Sequence, residues 1–185
     1  MKRTSLNDHP CSIARSLEVV GEWWTPLILR DVSYGLRRFG DLQEDLGISA
    51  NVLADRLATL VREGVLETRV YQERPERREY VLSEKGRELL PALLALMRWG
   101  DRWGWEGEAG APVRVLHQDC GHEVSVGVRC ECCARELEAH ELVAVPGEPV
   151  AHPPRRGEPG YLSGARLYAE PRGVTLDGGS TRAQG

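Results

Sequence analysis

Between Ser49 and Gly64 apolar residues return every third or fourth position: Ala50, Leu53, Ala54, Leu57, Leu60 and Val61. That spacing gathers them on one face of an α-helix. Asn51, Asp55, Thr59 and Arg62 take the opposite side, with Val52 and Arg56 along its edge. Ser49 is placed to cap the helix, because its hydroxyl can accept a bond from a first-turn N–H. Gly64 is placed to close it as a left-handed residue. A shorter amphipathic stretch, Phe39 to Leu46, comes before it through Gly47-Ile48. Two helices joined by a tight turn with Gly form a helix-turn-helix, whose second helix enters the DNA major groove. An ordinary helical hairpin shows the same pattern, so the next segment decides between them.

After Gly64 the period changes from helical to alternating. Val65, Glu67, Arg69 and Tyr71 fall on one side, and Leu66, Thr68 and Val70 on the other, as in a half-buried strand. Residues 72–77 read as a turn containing Pro75, and 78–83 as a returning strand. A hairpin with Arg74, Arg77 and Arg78 at its tip, directly behind a candidate recognition helix, makes a winged helix. Upstream, Cys11 opens a short helix with Ile13, Leu17 and Val20 on one face, ended by Gly21. Thr25-Pro26 supplies a cap and a first-turn proline for the next helix. There Leu27, Ile28 and Val32 are expected in the core, Arg30 and Asp31 in water, and Trp24 beneath the helix. Downstream, Ser83 caps a long helix running to Trp103, which Pro91 should kink or divide. Its apolar side, with Trp99 and Trp103, is wider than one small domain covers and predicts a second copy of the chain against it.

The 185 residues allow one ordinary domain with an appendage, and 41% hydrophobic with 28% charged residues is normal for a soluble protein. No apolar run reaches the roughly 20 residues that span a bilayer, and Met1 to Ser12 lacks a signal-peptide core. A cytoplasmic protein without membrane contact is expected. The net charge of −4 argues against general affinity for nucleic acid. What matters for phosphate is where cations cluster, and here they gather at Arg37-Arg38 and at Arg74, Arg77 and Arg78. There is no Gly-rich phosphate loop and no Ser-His-Asp set, so an enzyme is not expected.

At this point residues 11–103 resemble the HxlR family of bacterial winged-helix regulators, close to the MarR regulators. The resemblance rests on Cys11-Ser12-Ile13-Ala14, Gly21, Trp24-Thr25, Leu27 to Arg30, Arg38-Phe39, Ile48-Ser49, Leu53, Arg56-Leu57 and Leu60. It continues through Glu63-Gly64, Arg77, Glu79-Tyr80, Leu82, Lys85-Gly86 and Trp99-Gly100. It implies a homodimer built from the first and last helices that binds an inverted-repeat operator on double-stranded DNA. Family members with a cysteine matching Cys11 include redox sensors, which makes Cys11 a redox candidate and an oxidant or small molecule a candidate effector. The chain departs from the family where Glu76 interrupts a usual Pro-Pro at the wing, and where Ser12 and Leu36 replace frequent prolines.

The remaining cysteines cluster. His117-x2-Cys120 is followed, after nine residues, by Cys130-x2-Cys133, the spacing of two zinc knuckles around one tetrahedral ion. His117, Cys120, Cys130 and Cys133 are the expected ligands of a structural zinc. His122 can stand in for His117, and Cys132 for Cys133, on sequence alone. Residues 123–129 alternate as a strand between the knuckles would. Some family members resemble this chain in carrying a Cys-containing segment here. From Pro146 onward Pro and Gly dominate, and such a segment buries too little to offset its ordering entropy. No internal repeat is evident.

The expected architecture is mainly α with a small β-hairpin wing. It comprises a winged helix-turn-helix domain over 1–104, a linker over 105–112, a small zinc-ribbon-like segment over 113–145 and a flexible tail over 146–185. The expected function is sequence-specific transcriptional regulation, with repression the expected sign. Candidate DNA contacts are Arg38, then Ser49, Ala50, Asn51, Val52, Asp55 and Arg56 of the recognition helix, and Arg74, Arg77 and Arg78 of the wing. Asn51 can read adenine and Val52 a thymine methyl. Asp55 must either read a cytosine amino group or orient Arg56, which is equally suited to a salt bridge or to phosphate. The alternative is a zinc-containing interaction module that uses its winged helix to dock protein.

Overall fold

A computed structural model describes residues 5–6, 11–104 and 111–142. The chain order is α1 (Ser12–Val20), α2 (Trp24–Tyr34), α3 (Phe39–Leu46), α4 (Ala50–Arg62), β1 (Leu66–Glu73), β2 (Glu76–Leu82), α5 (Glu84–Arg87) and α6 (Leu90–Trp103). A single 3₁₀ turn follows at Ala139–Glu141. The chain divides after Gly127 into two units. Most of the expected linker and the tail from Pro146 lie outside the described residues. None of the described helices is long and apolar enough to cross a membrane.

In the first unit a core forms where α2, α3, α4 and the start of β1 meet. Ile28, Leu29, Leu42, Leu53, Leu57, Leu60 and Val65 are wholly buried, and Val32, Ile48 and Leu66 nearly so. Burying each such side chain contributes about 1.5–3 kcal/mol. On α4 the inward face is narrower than the periodicity suggests. Its three leucines are buried, while Ala50 and Ala54 are exposed. The helix ends as expected, with Gly64 at φ 68° and Val65 N–H donating back to Leu60 O at 2.9 Å.

β1 and β2 pair antiparallel from Leu66↔Leu82 to Glu73↔Glu76, with an irregularity at Tyr71 between Val70 and Gln72. Pro91 sits in the first turn of α6 and the expected long helix is divided there. The short α5 stays with the core. Ser83 Oγ accepts from Gly86 N–H at 3.0 Å and donates to the carbonyls of Gly64 and Val65, while Lys85 Nζ donates to Glu63 O at 2.7 Å.

The α2 region departs from expectation. Helix α2 begins at Trp24, so Thr25 lies buried inside its first turn and is not the cap. Trp24 and Leu27 are partly open to solvent, and Leu29 takes the core place expected of Leu27. Trp23 is almost fully exposed. Asp31 is only 1% exposed. Its Oδ1 accepts from Arg30 Nε at 2.7 Å, and Oδ2 has no partner among the described residues. Burial pushes this carboxyl above its ordinary range, against the pull of Arg30 and with a further push from Asp45. Ionisation of Asp31 therefore works against the fold. The penalty is absent well below about pH 4, where folded and unfolded chains are both protonated, and grows as pH rises toward the raised folded value. Asp31→Asn carries no such charge, so the parent should lose stability relative to it between pH 4 and pH 7. Thermal melts of both proteins across that range check this; an unchanging Tm difference would show that Asp31 titrates alike in both states.

Candidate nucleic-acid interface

The turn between α3 and α4 is held by Gly47 at φ 64°, whose N–H donates to Gln43 O at 3.0 Å, and by buried Ile48. Ser49 is extended, and its Oγ accepts from Val52 N–H at 3.4 Å, so its acceptor role goes to capping. With Leu53, Leu57 and Leu60 locked in the core, the rotation of α4 about its axis is fixed. Ser49, Ala50, Asn51, Val52 and Asp55 are then all exposed at its N-terminal end.

Asp55 and Arg56 resolve together. Arg56 Nη2 donates to Asp55 Oδ2 at 2.5 Å, and its Nη1 lies 3.6 Å from Glu22 Oε1. Asp55 thus orients Arg56, which ties α4 to the segment ahead of α2. Glu22 carried no signal in the sequence, because it lies 34 residues before its partner.

At the hairpin tip, Arg74 and Pro75 form a two-residue turn across a cis peptide bond. Arg78 donates to Glu76 Oε1 at 2.8 Å and to Thr68 Oγ1 at 3.3 Å. Glu76, the residue that interrupts the usual prolines, thus neutralises one of the three arginines. Arg77 stands opposite Gln72, and neither Arg74 nor Arg77 has an ion-pair partner among the described residues. Any positive potential at the tip rests on these two. At the root, Tyr80 N–H donates to Arg37 O at 2.8 Å, and the Arg38 guanidinium lies 4.6 Å from the centre of the Tyr71 ring. Wing and α3 are thereby joined through adjacent arginines. Tyr71 sits at the bulge, an irregularity that alternation cannot foretell.

Cys11 is the exposed N-cap residue of α1, without a side-chain capping bond. Of the four expected metal ligands, His117 and Cys120 come together, with Nδ1 3.2 Å from Sγ. Cys130 and Cys133 share one turn, and the backbone N–H groups of Cys133 and then Cys132 hold the Cys130 thiol below its ordinary range. Among the described residues no three His, Cys, Asp or Glu side chains form a cluster that could hold a metal ion. The strand expected over 123–129 is absent; only the isolated bridges Leu116↔Glu123 and Arg129↔Glu136 form.

Residues 19–108 match the family model described as HxlR-like helix-turn-helix. A protein of Mycobacterium bovis, named an uncharacterised HTH-type transcriptional regulator, is 42% identical over 136 residues, 74% of this chain and 85% of its own. Since 136 residues exceed the span up to 108, the likeness runs on past the winged helix. The crystal structure of PA1607, a candidate transcription factor, has a TM-score of 0.67 at 38% identity, covering 75% of this chain and 96% of its own. A second candidate transcription factor, from Pseudomonas aeruginosa, has a TM-score of 0.54 at 37% identity, covering 75% and 94%.

Proposed function

Because the chain belongs to the HxlR-like helix-turn-helix family of transcriptional regulators, we propose that it acts as a homodimer on an inverted-repeat operator. The family is one of DNA-binding regulators and not of enzymes. In this reading α4 lies in the major groove and the wing follows the backbone. One observation carries it: the buried leucines of α4 turn Asn51, Val52 and Asp55 outward together, in a domain whose wing arginines Arg74 and Arg77 have no ion-pair partner among the described residues.

Dimerisation is supported by the two helices that leave apolar surface uncovered. Ile13 on α1 is 70% exposed, Trp99 and Trp103 on α6 are 63% and 65% exposed, and no residue of α6 is fully buried. A groove of about 470 Å³ between α2 and α6, walled by Leu27, Tyr34, Leu93 and Met97 with Arg30 and Ser33 at its edge, suits a small apolar effector. Cys11, exposed at the start of α1, is within reach of an oxidant, as are Cys120, Cys132 and Cys133.

The test begins with an operator selected from random duplexes. Asn51→Ala should lose discrimination at particular base pairs, by about 1–3 kcal/mol. Arg77→Ala should weaken binding to every duplex alike and lower the salt slope by about one. Both variants binding as the parent does would overturn the orientation. Affinity indifferent to salt would point to a protein partner instead. The same titration under mild oxidant, with Cys11→Ser beside the parent, separates a redox response from constitutive binding.

A further inference from the structure

Three of the five cysteines fall in one turn of the second unit, Cys130-Glu131-Cys132-Cys133. Backbone bonds hold this turn at both ends. Ala134 N–H donates to Cys130 O at 2.9 Å, and Cys130 N–H to Arg135 O at 3.0 Å. Arg129 bridges Glu136, and Leu137 N–H donates to Val128 O at 2.8 Å. Arg129 Nε donates to Ala134 O at 2.7 Å, and Arg135 Nη2 to Glu141 Oε1 at 2.6 Å. Ala134 leaves the turn in a left-handed conformation, φ 57°, which a residue with a Cβ adopts only where its surroundings require it. The turn keeps its shape without any bond through sulfur.

Within it two sulfurs are already brought together. The Cys130 sulfur accepts from the backbone N–H groups of Cys133 and Cys132, and from the Cys133 thiol. The Arg135 guanidinium bonds to the Cys133 sulfur and lies within electrostatic reach of Cys130. Cys130 is half-buried, while Cys133 is exposed. In a turn of this kind the first and fourth Cα atoms stand about 5 Å apart, inside the roughly 4.4–6.8 Å that a disulfide spans. Cys132 is worse placed. It meets Cys130 through its backbone, and a bridge to adjacent Cys133 would have to twist the peptide link between them.

We propose that Cys130 and Cys133 form a redox-active dithiol, which a hydroperoxide closes to a disulfide within the turn. The Cys130 sulfur, its proton given to solvent, attacks one oxygen of the peroxide. An S–O bond forms, the O–O bond breaks, and an alcohol or water leaves with a proton. The Cys133 sulfur then attacks that of Cys130, so that an S–S bond forms and the S–O bond breaks. Hydroxide departs and takes up the Cys133 proton as water. Two thiols are thus oxidised by two electrons while one hydroperoxide is reduced. The two N–H groups and Arg135 stabilise charge on the Cys130 sulfur as it attacks, and again when an external dithiol reopens the bridge. The site is separate from Cys11 and does not depend on the DNA-binding reading.

The test exposes the reduced full-length chain to a small molar excess of hydrogen peroxide. Free thiols are alkylated, bridges are reduced, and the released thiols are alkylated with a second reagent. Trypsin then frees residues 130–135, a peptide that holds all three thiols of the turn. On oxidation this peptide should lose two first-label thiols, at Cys130 and Cys133, and regain both after dithiothreitol. The yield should not change with protein concentration. Cys132→Ser should still close the bridge. Cys133→Ser should stop at a sulfenic acid on Cys130, trapped by dimedone, which separates a missing partner from a misfolded turn. All three thiols keeping the first label while Cys11 oxidises would overturn the proposal. A bridge to Cys132, to Cys120 or to another chain would also overturn it, as would zinc bound by the purified chain that shields both sulfurs from peroxide.

Discussion

Gly86→Ala should lower stability by about 3 kcal/mol, the upper end of the ordinary cost of overpacking a filled interior. A Cβ at Gly86 would stand 2.3 Å from the carbonyl oxygen of Val65, and backbone cannot swing aside as a long side chain can. That carbonyl already accepts from Ser83 N–H at 3.1 Å and Ser83 Oγ at 3.0 Å. The clash therefore strikes where the end of α4, the base of the wing and α5 are bonded together. Gly100→Ala is the control: it is also helical, and nothing lies within 4 Å of its would-be Cβ. It should be neutral or gain up to about 1 kcal/mol from helix propensity. Chemical denaturation of the two variants checks the contrast, and equal losses would mean that helix chemistry, and not the Val65 contact, governs both.

If the chain is the proposed dimer, Trp99→Glu should leave it monomeric at micromolar concentration. A tryptophan buries about 150–250 Å² when covered, and at about 25 cal/mol/Å² its loss from both copies removes several kcal/mol besides burying charge. Sedimentation equilibrium reads the mass, and far-ultraviolet circular dichroism should be unchanged because no residue of α6 is fully buried. Affinity for a two-half-site operator should fall at least 100-fold, while affinity for an isolated half-site should hold. A variant that remains dimeric would move the interface away from α6. Paired with Ile13→Glu, the measurement also asks whether α1 shares that surface.

The helix-turn-helix could be read from the residues because each of its signals is local. Phe39–Leu46 was bounded by an arginine-flanked start and Gly47, and the helix after it by Ser49 and Gly64; the structure keeps these limits to within a residue or two. The division at Pro91 was legible for the same reason, since a proline's missing N–H acts where it stands. Helix α2 was misread because it packs on more than one side. Periodicity gave Leu27 to the core and Asp31 to water, but Leu29 fills the core, Leu27 faces a groove, and Asp31 is buried with Arg30 covering one oxygen. Trp24 is expected beneath the helix from its place just before a cap at Thr25, but α2 begins at Trp24 itself. At the candidate interface, exposure of Asn51 and Val52 followed from the leucine stripe. The partners Glu22 and Tyr71 did not, because each meets its arginine through tertiary structure.

The break at Pro91 has a mechanical meaning. Helix α5 is bonded to the DNA-reading head through Gly86 and Lys85, whereas α6 leaves that head from a joint at Glu88 and Leu89. With fourteen residues, α6 is a lever arm about 21 Å long. A bend of about 10° at its joint displaces the far end by about 4 Å, comparable with the 3.4 Å step between base pairs. In a dimer gripped through α6, the angle at that joint would set how many base pairs separate the half-sites. A ligand wedged between α2 and α6 would then act on the half-site spacing such a dimer accepts, without touching a single base contact.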